Sequence, residues 1–151
     1  MATYAANTEV TSDKSRAEIE RILTRWGADE YAYMMKATQA QIAFSYRGMR
    51  VRFVLPLPDR NANEFTHHSR GKRTDSAAAQ AYEQAVRQKW RALALVVKAK
   101  LEAVESEIST FEQEFYAHLV LPNGQTVFES TAHQVATMIQ TGDQGPLMLE
   151  A

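Results

Sequence analysis

Apolar side chains first recur at helical spacing between residues 15 and 26. Four of them stand at offsets 0, 3, 4 and 7, on one helical face: Ile19, Ile22, Leu23 and Trp26. Ser15 and Glu18 match a capping box, in which each side chain bonds a backbone N–H of the first turn. Gly27 suits the end of a helix. The pattern predicts a helix over residues 15–26, preceded by a flexible arm at 1–14.

Alternating apolar and polar residues follow, and they predict a three-stranded antiparallel meander over 30–36, 39–46 and 49–55. Arg47 and Gly48 form a two-residue hairpin turn between the last two strands. That turn sets the register and predicts three facing pairs on the buried face: Tyr46 with Met49, Phe44 with Val51, and Ile42 with Phe53. Ser45, Arg50 and Arg52 then fall on the opposite face.

Residues 56–73 show no period and many helix and strand breakers, so we predict a long loop there. From Thr74 the period becomes helical. One apolar stripe advances 29 residues in eight steps, at Val86, Trp90, Leu93, Val97, Leu101, Val104, Ile108, Phe111 and Phe115. A straight helix of about forty residues would measure about 60 Å, against a diameter of about 40 Å for a compact chain of this size. The long helix must therefore break, protrude or pack on another chain.

The last part of the chain predicts a turn at Pro122-Asn123-Gly124 and a short helix over 130–140 that ends at Gly142. Residues 143–151 form a tail without a regular pattern. These elements define an α+β fold: an N-terminal helix, a three-stranded antiparallel meander, a long amphipathic helix and a short C-terminal helix. Residues 15–142 are expected to form a single domain.

The composition changes this picture in one respect, the absence of cysteine among the 151 residues. Disulfides, thiolate metal sites and cysteine nucleophiles are thereby excluded. No segment has the pattern of a signal peptide, and the longest apolar run, 92–97, is too short to span a membrane. We therefore expect a cytoplasmic protein that does not engage membranes.

Charge is sorted along the chain although the net charge is only −1. Residues 47–100 contain 12 Lys or Arg and 4 Asp or Glu, whereas 101–151 contain no Lys or Arg and 8 Asp or Glu. Such asymmetry is typical of proteins with a polyanionic partner or with a functional acidic segment. Alternatively, the two regions neutralise each other within the fold.

Enzyme motifs are missing from the sequence: it has no glycine-rich phosphate loop, no serine elbow and no His-Glu-x-x-His. Glu64, His67 and His68 lie together in the predicted loop, but adjacent histidines on a loop lack fixed geometry and a clear third ligand. We expect a non-catalytic protein without cofactor or metal. A metal-dependent hydrolase or nuclease built on scattered carboxylates and histidines is the remaining enzymatic alternative.

Basic side chains are the sharper signal, and they define a candidate nucleic-acid-binding set: Arg50, Arg52, Arg70, Lys72, Arg73, Arg87, Arg91 and Lys98. If these groups converge, they form a surface that tracks phosphates and binds in a salt-dependent way. Tyr31, Tyr33 and Trp90 are candidate platforms for stacking of single-stranded bases. The alternative for these aromatic residues, and the stronger one for Trp90, is packing in the core.

The acidic C-terminal third has two functional interpretations beside a solvated surface. It could pair with the basic region of a neighbouring subunit, or it could present a negative face to a basic partner protein. Self-association is expected whether the chain binds nucleic acid or a protein, because the long helix has an apolar middle and the charged segments are complementary. A homodimer through the apolar middle of the long helix is the simplest form, with a higher homo-oligomer as the alternative.

Three segments resemble a family of small uncharacterised bacteriophage and prophage proteins: RVRFVLPLPD (50–59), RQKWRALALVVKAKLEAVE (87–105) and FEQEFYAHLVLPNGQTV (111–127). The resemblance covers roughly residues 16–140 and implies no active site. It implies an early-region accessory protein of a phage, acting in the cytoplasm of the bacterial host, of the kind linked with DNA metabolism or with countering host defence.

Two functions are therefore expected. The first is a phage-encoded, non-catalytic accessory protein that binds DNA or RNA in replication, recombination or genome protection. The second is an anti-defence inhibitor, such as an anti-CRISPR, that binds a host defence protein through its acidic third.

Overall fold

A computed structural model describes residues 5–148 of the chain. Its elements, in chain order, are α1 (Ser12–Trp26), β1 (Glu30–Met35), β2 (Gln39–Tyr46), β3 (Met49–Pro56), α2 (Asn63–Thr66), β4 (His67–His68), β5 (Gly71–Lys72), α3 (Asp75–Glu105), α4 (Phe111–Phe115), a 3-10 turn (Tyr116–His118) and α5 (Val127–Thr141). The predicted α+β class and order of the main elements are confirmed.

Helix α1 begins earlier than predicted, because its N-cap is Thr11 and not Ser15. The Thr11 hydroxyl accepts a hydrogen bond from the Lys14 N–H at 3.2 Å. Ser15 is instead fully buried. Gly27 ends the helix in the left-handed region, with φ 89°, as predicted. Before the helix, Gln84 Nε2 of α3 donates to the Thr8 carbonyl at 2.8 Å, so part of the predicted arm contacts α3. Residues 1–4 of that arm lie outside the described residues.

The meander has the predicted register, with strand order β1-β2-β3 and both pairings antiparallel. Phe44 lies opposite Val51, and Ile42 lies opposite Phe53. All four of these side chains are buried. Helices α1, α3 and α4 contribute to the same core cluster, so they cover that face of the sheet. The other face, which carries Arg50, is not part of the cluster.

The predicted long loop is wrong in part, because residues 63–72 form α2 and a small two-stranded hairpin, β4-β5. Phe65 anchors this segment: it is 5% exposed, and its ring meets the Tyr82 ring of α3 edge-on at 5.6 Å. Arg73 closes the base by donating from Nη1 to the Glu64 and Phe65 carbonyls, both at 3.0 Å. One buried aromatic residue and one arginine thus order a segment that has no periodicity.

Helix α3 breaks where the predicted stripe continues. It spans 31 residues, about 46 Å long at 1.5 Å per residue, and ends at Glu105. Glu107 adopts φ 58°, the left-handed conformation. The Ile108 N–H then donates to the Ala103 carbonyl at 3.0 Å, which is the pattern of a Schellman cap. The chain reverses, and α4 returns Phe111 and Phe115 to the core beside Phe44.

The apolar stripe of α3 is covered within the chain. Trp90, Leu93, Ala94, Val97 and Leu101 are all buried in the common core. Val96, in the apolar middle of this helix, is 43% exposed, so the dimer through the long helix stays a prediction. Among residues 5–148, no helix combines the length and apolarity that a membrane span requires.

Helix α5 begins three residues before the predicted start, because Thr126 and Glu129 form a capping box. It ends at Gly142 as predicted. The helix is loosely attached: Ser130 is its only buried residue within the described part of the chain. The segment just before α5 extends the sheet, since the Val120 N–H donates to the Arg50 carbonyl at 2.8 Å. Within the tail, the Met148 N–H donates to Gln134 Oε1 at 2.7 Å.

Candidate nucleic-acid interface

Arg52 lies on the predicted outer face of β3, where it contacts the chain's own acidic third. Its Nη2 lies 2.9 and 3.2 Å from the two carboxylate oxygens of Glu129, and its Nη1 donates to the Gly124 carbonyl at 3.0 Å. The Arg52 side chain is 23% exposed. Its two terminal nitrogens are thus engaged in holding α5 to the sheet, and its Nε is buried, which leaves little capacity for a phosphate.

Arg91 is also engaged within the fold. Its Nη1 lies 2.5 Å from Glu18 Oε2, an ion pair that links α3 to α1, and both side chains are about a quarter exposed. Arg87 is freer, with a long contact of 3.9 Å to Glu83 one helical turn away. Lys98 is exposed. Of the three basic residues predicted to cluster on α3, Arg91 is therefore held in a structural ion pair, whereas Arg87 and Lys98 are accessible to solvent.

Arg50 and Lys98 lie on opposite sides of the sheet. Arg50 alternates with buried Val51 along β3 and is exposed on the outer face. Helix α3, which carries Lys98, packs on the inner face. A single straight nucleic-acid strand cannot track both groups on one face of the sheet.

The β4-β5 hairpin brings the remaining basic residues together. His67, His68, Arg70 and Lys72 are all exposed on this four-residue ladder and its turn. Two local contacts fix the histidine rings: Thr66 Oγ1 lies 2.7 Å from His67 Nδ1, and the Arg70 N–H donates to His68 Nδ1 at 2.9 Å. No acidic residue occurs between Phe65 and Thr74; Glu64 and Asp75 are the nearest along the chain.

The predicted stacking platforms behave differently from one another. Trp90 has no exposed surface, so it cannot stack on a base. Tyr31 is partly buried, and burial, reinforced by Glu20, raises the pKa of its phenol. Tyr33 is 51% exposed, with the Arg16 guanidinium 5.2 Å from its ring centre.

Part of the acidic third neutralises the basic region inside the chain. Besides the Arg52–Glu129 pair, Lys100 Nζ lies 3.7 Å from Glu114 Oε2 and donates to the Glu114 carbonyl at 2.8 Å. For these two ion pairs, the acidic region therefore neutralises the basic region within the fold, which was the alternative interpretation of the sorted charge. Other acidic side chains stay exposed around the C-terminal end of α3: Glu102, Glu105, Glu107 and Glu112.

Histidines do not assemble with carboxylates into a metal centre among residues 5–148, where no group of three or more potential ligands lies close enough to hold an ion. His118 has a different setting. Its ring stacks on Phe53 with 4.1 Å between ring centres. Burial, followed by the charge of Lys100, lowers the pKa of His118 below its usual 6.5.

Sequence reasoning missed Arg60, which lies against the same anchor as the hairpin. Its guanidinium is 4.6 Å from the ring centre of Tyr82, the residue on which Phe65 packs. In the sequence, nothing distinguishes Arg60 except its position in the segment predicted to be a loop.

No family model matches the sequence, and no curated protein and no solved structure shows significant similarity to it. The site is therefore interpreted from its own chemistry.

Proposed function

We propose that the chain is a non-catalytic accessory protein that binds nucleic acid, and that the β4-β5 hairpin is its main contact with phosphates. The observation that carries the proposal is the exposed hairpin, which presents Arg70 and Lys72 with two histidines and no acidic neighbour between residues 65 and 74. Exposed Arg and Lys side chains on a positioned backbone are typical of phosphate contacts. Phe65 and Arg73 supply that positioning at the hairpin base.

The resemblance to phage proteins supports the same class of role, in replication, recombination or genome protection. Binding by a few cations is expected to be sequence-independent and salt-sensitive, because it releases condensed counterions. Arg87 and Arg60 could extend the contact along the N-terminal half of α3. Arg52, Arg73 and Arg91 act in this proposal as structural residues.

Charge reversal tests the assignment. Arg70→Glu with Lys72→Glu should weaken binding of labelled single- and double-stranded DNA by at least about tenfold, measured by fluorescence anisotropy. The matched control is Arg21→Glu with Arg25→Glu, which changes the same charge at two exposed positions of α1. Equal loss in both variants would mean that only overall charge matters, and the hairpin assignment would then be wrong.

A second function, inhibition of a host defence protein, is favoured by a separate observation. Helix α5 and the following segment leave a set of large apolar side chains exposed, by 52–79%: Phe128, Ile139, Leu147 and Met148. Ile139 and Leu147 line one depression on this helix, and contiguous exposed apolar surface is typical of a protein-binding site. The acidic side chains near the end of α3 would then favour a basic partner.

This second function is tested with purified RNA-guided nucleases, whose DNA cleavage is measured with and without the chain. Inhibition that is lost in Ile139→Glu but retained in Arg70→Glu with Lys72→Glu would establish it. Unchanged cleavage across the effectors tested would count against it.

A further inference from the structure

The outer edge of β1 is open. At the other end of the sheet, β3 is covered by the Leu119–Val120 segment through the Val51–Leu119 bridge and the hydrogen bond to Arg50. No described residue pairs with β1 on the side away from β2. Five of its six residues are exposed, among them Tyr33, Met34 and Met35, at 51%, 43% and 45%.

The backbone groups that point to this open edge can be identified. The Lys36 N–H donates to the Gln39 carbonyl at 2.8 Å, so even-numbered residues of β1 direct their N–H and C=O toward β2. Because these groups alternate along an antiparallel strand, Tyr31, Tyr33 and Met35 direct theirs outward. Within the described part of the chain, no hydrogen bond is made by the N–H of any of these three residues to another element.

Natural proteins protect such an edge with proline, an inward-pointing charge, a bulge or a covering segment. Strand β1, with the sequence EYAYMM, has no proline and no lysine. Its charged residues lie at the two ends instead: Glu30 begins the strand and Lys36 follows it. Both are exposed. The edge is thus apolar in its middle and oppositely charged at its two ends.

This layout is self-complementary. If two copies of β1 pair antiparallel about a two-fold axis through Tyr33, Tyr31 faces Met35 of the partner subunit and Tyr33 faces Tyr33 of the partner subunit. All three outward-pointing residues then exchange hydrogen bonds. On the other face of the sheet, Glu30 faces Lys36 of the partner subunit. The next register that still pairs the outward-pointing N–H and C=O groups has its two-fold axis at Ala32, one residue away. In that register Glu30 lies opposite Met34 of the partner subunit.

We propose that the edge of β1 is a dimer interface, in which two copies of the chain join their meanders into one six-stranded sheet in this register. The occupant is a second copy because the charges at the two ends of the strand fit its own reversed sequence. This inference is independent of nucleic-acid binding. It also places self-association on β1 and not on α3, whose apolar stripe is already covered.

A charge exchange tests the register. Sedimentation equilibrium of the full chain should show a dimer. Glu30→Lys should raise the dissociation constant of this dimer by about tenfold, since two attractive pairs become repulsive. Adding Lys36→Glu should restore the dimer, because the pairs are attractive again with reversed sign. This rescue separates a lost interface from a failure to fold.

A cysteine test uses the absence of natural cysteine. Tyr33→Cys places two thiols across the axis, on facing residues about 5.5 Å apart between Cα atoms, within the range that a disulfide spans. Oxidation should give a covalent dimer. Ala32→Cys, the matched control, lies off the axis and should cross-link poorly. A monomer at all concentrations, or equal cross-linking of both variants, would overturn the proposed interface; a monomer would leave the edge free for a strand of another protein.

Discussion

The Arg52 guanidinium joins β3 to the start of α5, and its removal should loosen α5 without unfolding the core. Helix α5 buries only Ser130 among the described residues, so few other contacts hold it. The same Glu129 carboxylate that pairs with Arg52 accepts a hydrogen bond from the Thr126 N–H at 3.0 Å. Arg52 therefore also positions the capping box of the helix.

The magnitude follows from the exposure of the pair. A hydrogen bond to a charged group contributes about 1.5–3 kcal/mol, but Glu129 is 39% exposed, and solvent screening reduces the value. Arg52 Nε is buried without a partner in the described structure, which offsets part of the gain. We expect Arg52→Ala to lower the free energy of unfolding by about 1–2 kcal/mol.

A double-mutant cycle isolates the pair. Glu129→Gln keeps a side chain that can serve the capping box and removes the charge, so the cycle with Arg52→Ala should give a coupling free energy of about 1 kcal/mol in urea denaturation. Hydrogen exchange should show faster exchange in α5 and unchanged protection in β2. Arg50→Ala, two residues away and exposed, is the control and should change stability by less than about 0.5 kcal/mol. If Arg52→Ala and Arg50→Ala behave alike, the structural role of Arg52 is refuted.

Three further perturbations probe the fold. Glu107→Gly should stabilise the chain by about 1 kcal/mol in a urea titration, because glycine adopts φ 58° without strain. Glu102→Gly, at an exposed position within α3, should destabilise it by a similar amount in the same titration. The lowered pKa of His118 means that the unfolded chain binds more protons below about pH 6.5, so stability should fall as pH drops through that value. A His118→Phe variant should show a weaker dependence between pH 7 and 5, and an unchanged slope would remove His118 as the cause. Trp90→Ala should cost about 3–5 kcal/mol, because the side chain is fully buried; a cost near zero by thermal denaturation would contradict its place in the core.

Local patterns were sufficient to predict the meander. The Arg47-Gly48 turn and the alternation around it fix the pairing of Phe44 with Val51, because a shift by one residue would expose every apolar side chain. The stop of α1 at Gly27 and that of α5 at Gly142 were equally readable, since glycine accepts the left-handed conformation that both caps require.

The break in α3 was not predicted at its true position. The apolar period continues from Leu101 through Phe111, and the residue that reverses the chain is Glu107, which carries no glycine signal. The order in 63–72 was missed for a related reason. It depends on Phe65 reaching Tyr82 on another element, and such a contact leaves no periodic trace in the sequence.

The candidate site was only partly readable, because charge in a sequence does not show which side chains are already paired. Arg52 and Glu129 are 77 positions apart, and Arg91 and Glu18 are 73 apart. Only the fold brings them together. The exposed hairpin cations, in contrast, were part of the basic set from the start, although the hairpin that presents them was not predicted.

The salt dependence of DNA binding tests the central claim most directly. Affinity is measured from about 50 to 200 mM salt for the natural chain, for Arg70→Gln with Lys72→Gln, and for the control Arg21→Gln with Arg25→Gln. Each lost phosphate contact lowers the slope of log affinity against log salt by about 0.9 on duplex DNA, so the hairpin variant should lose nearly two units and the control should lose none. No binding by the natural chain at the lowest salt, or an unchanged slope in the hairpin variant, would contradict the proposed interface.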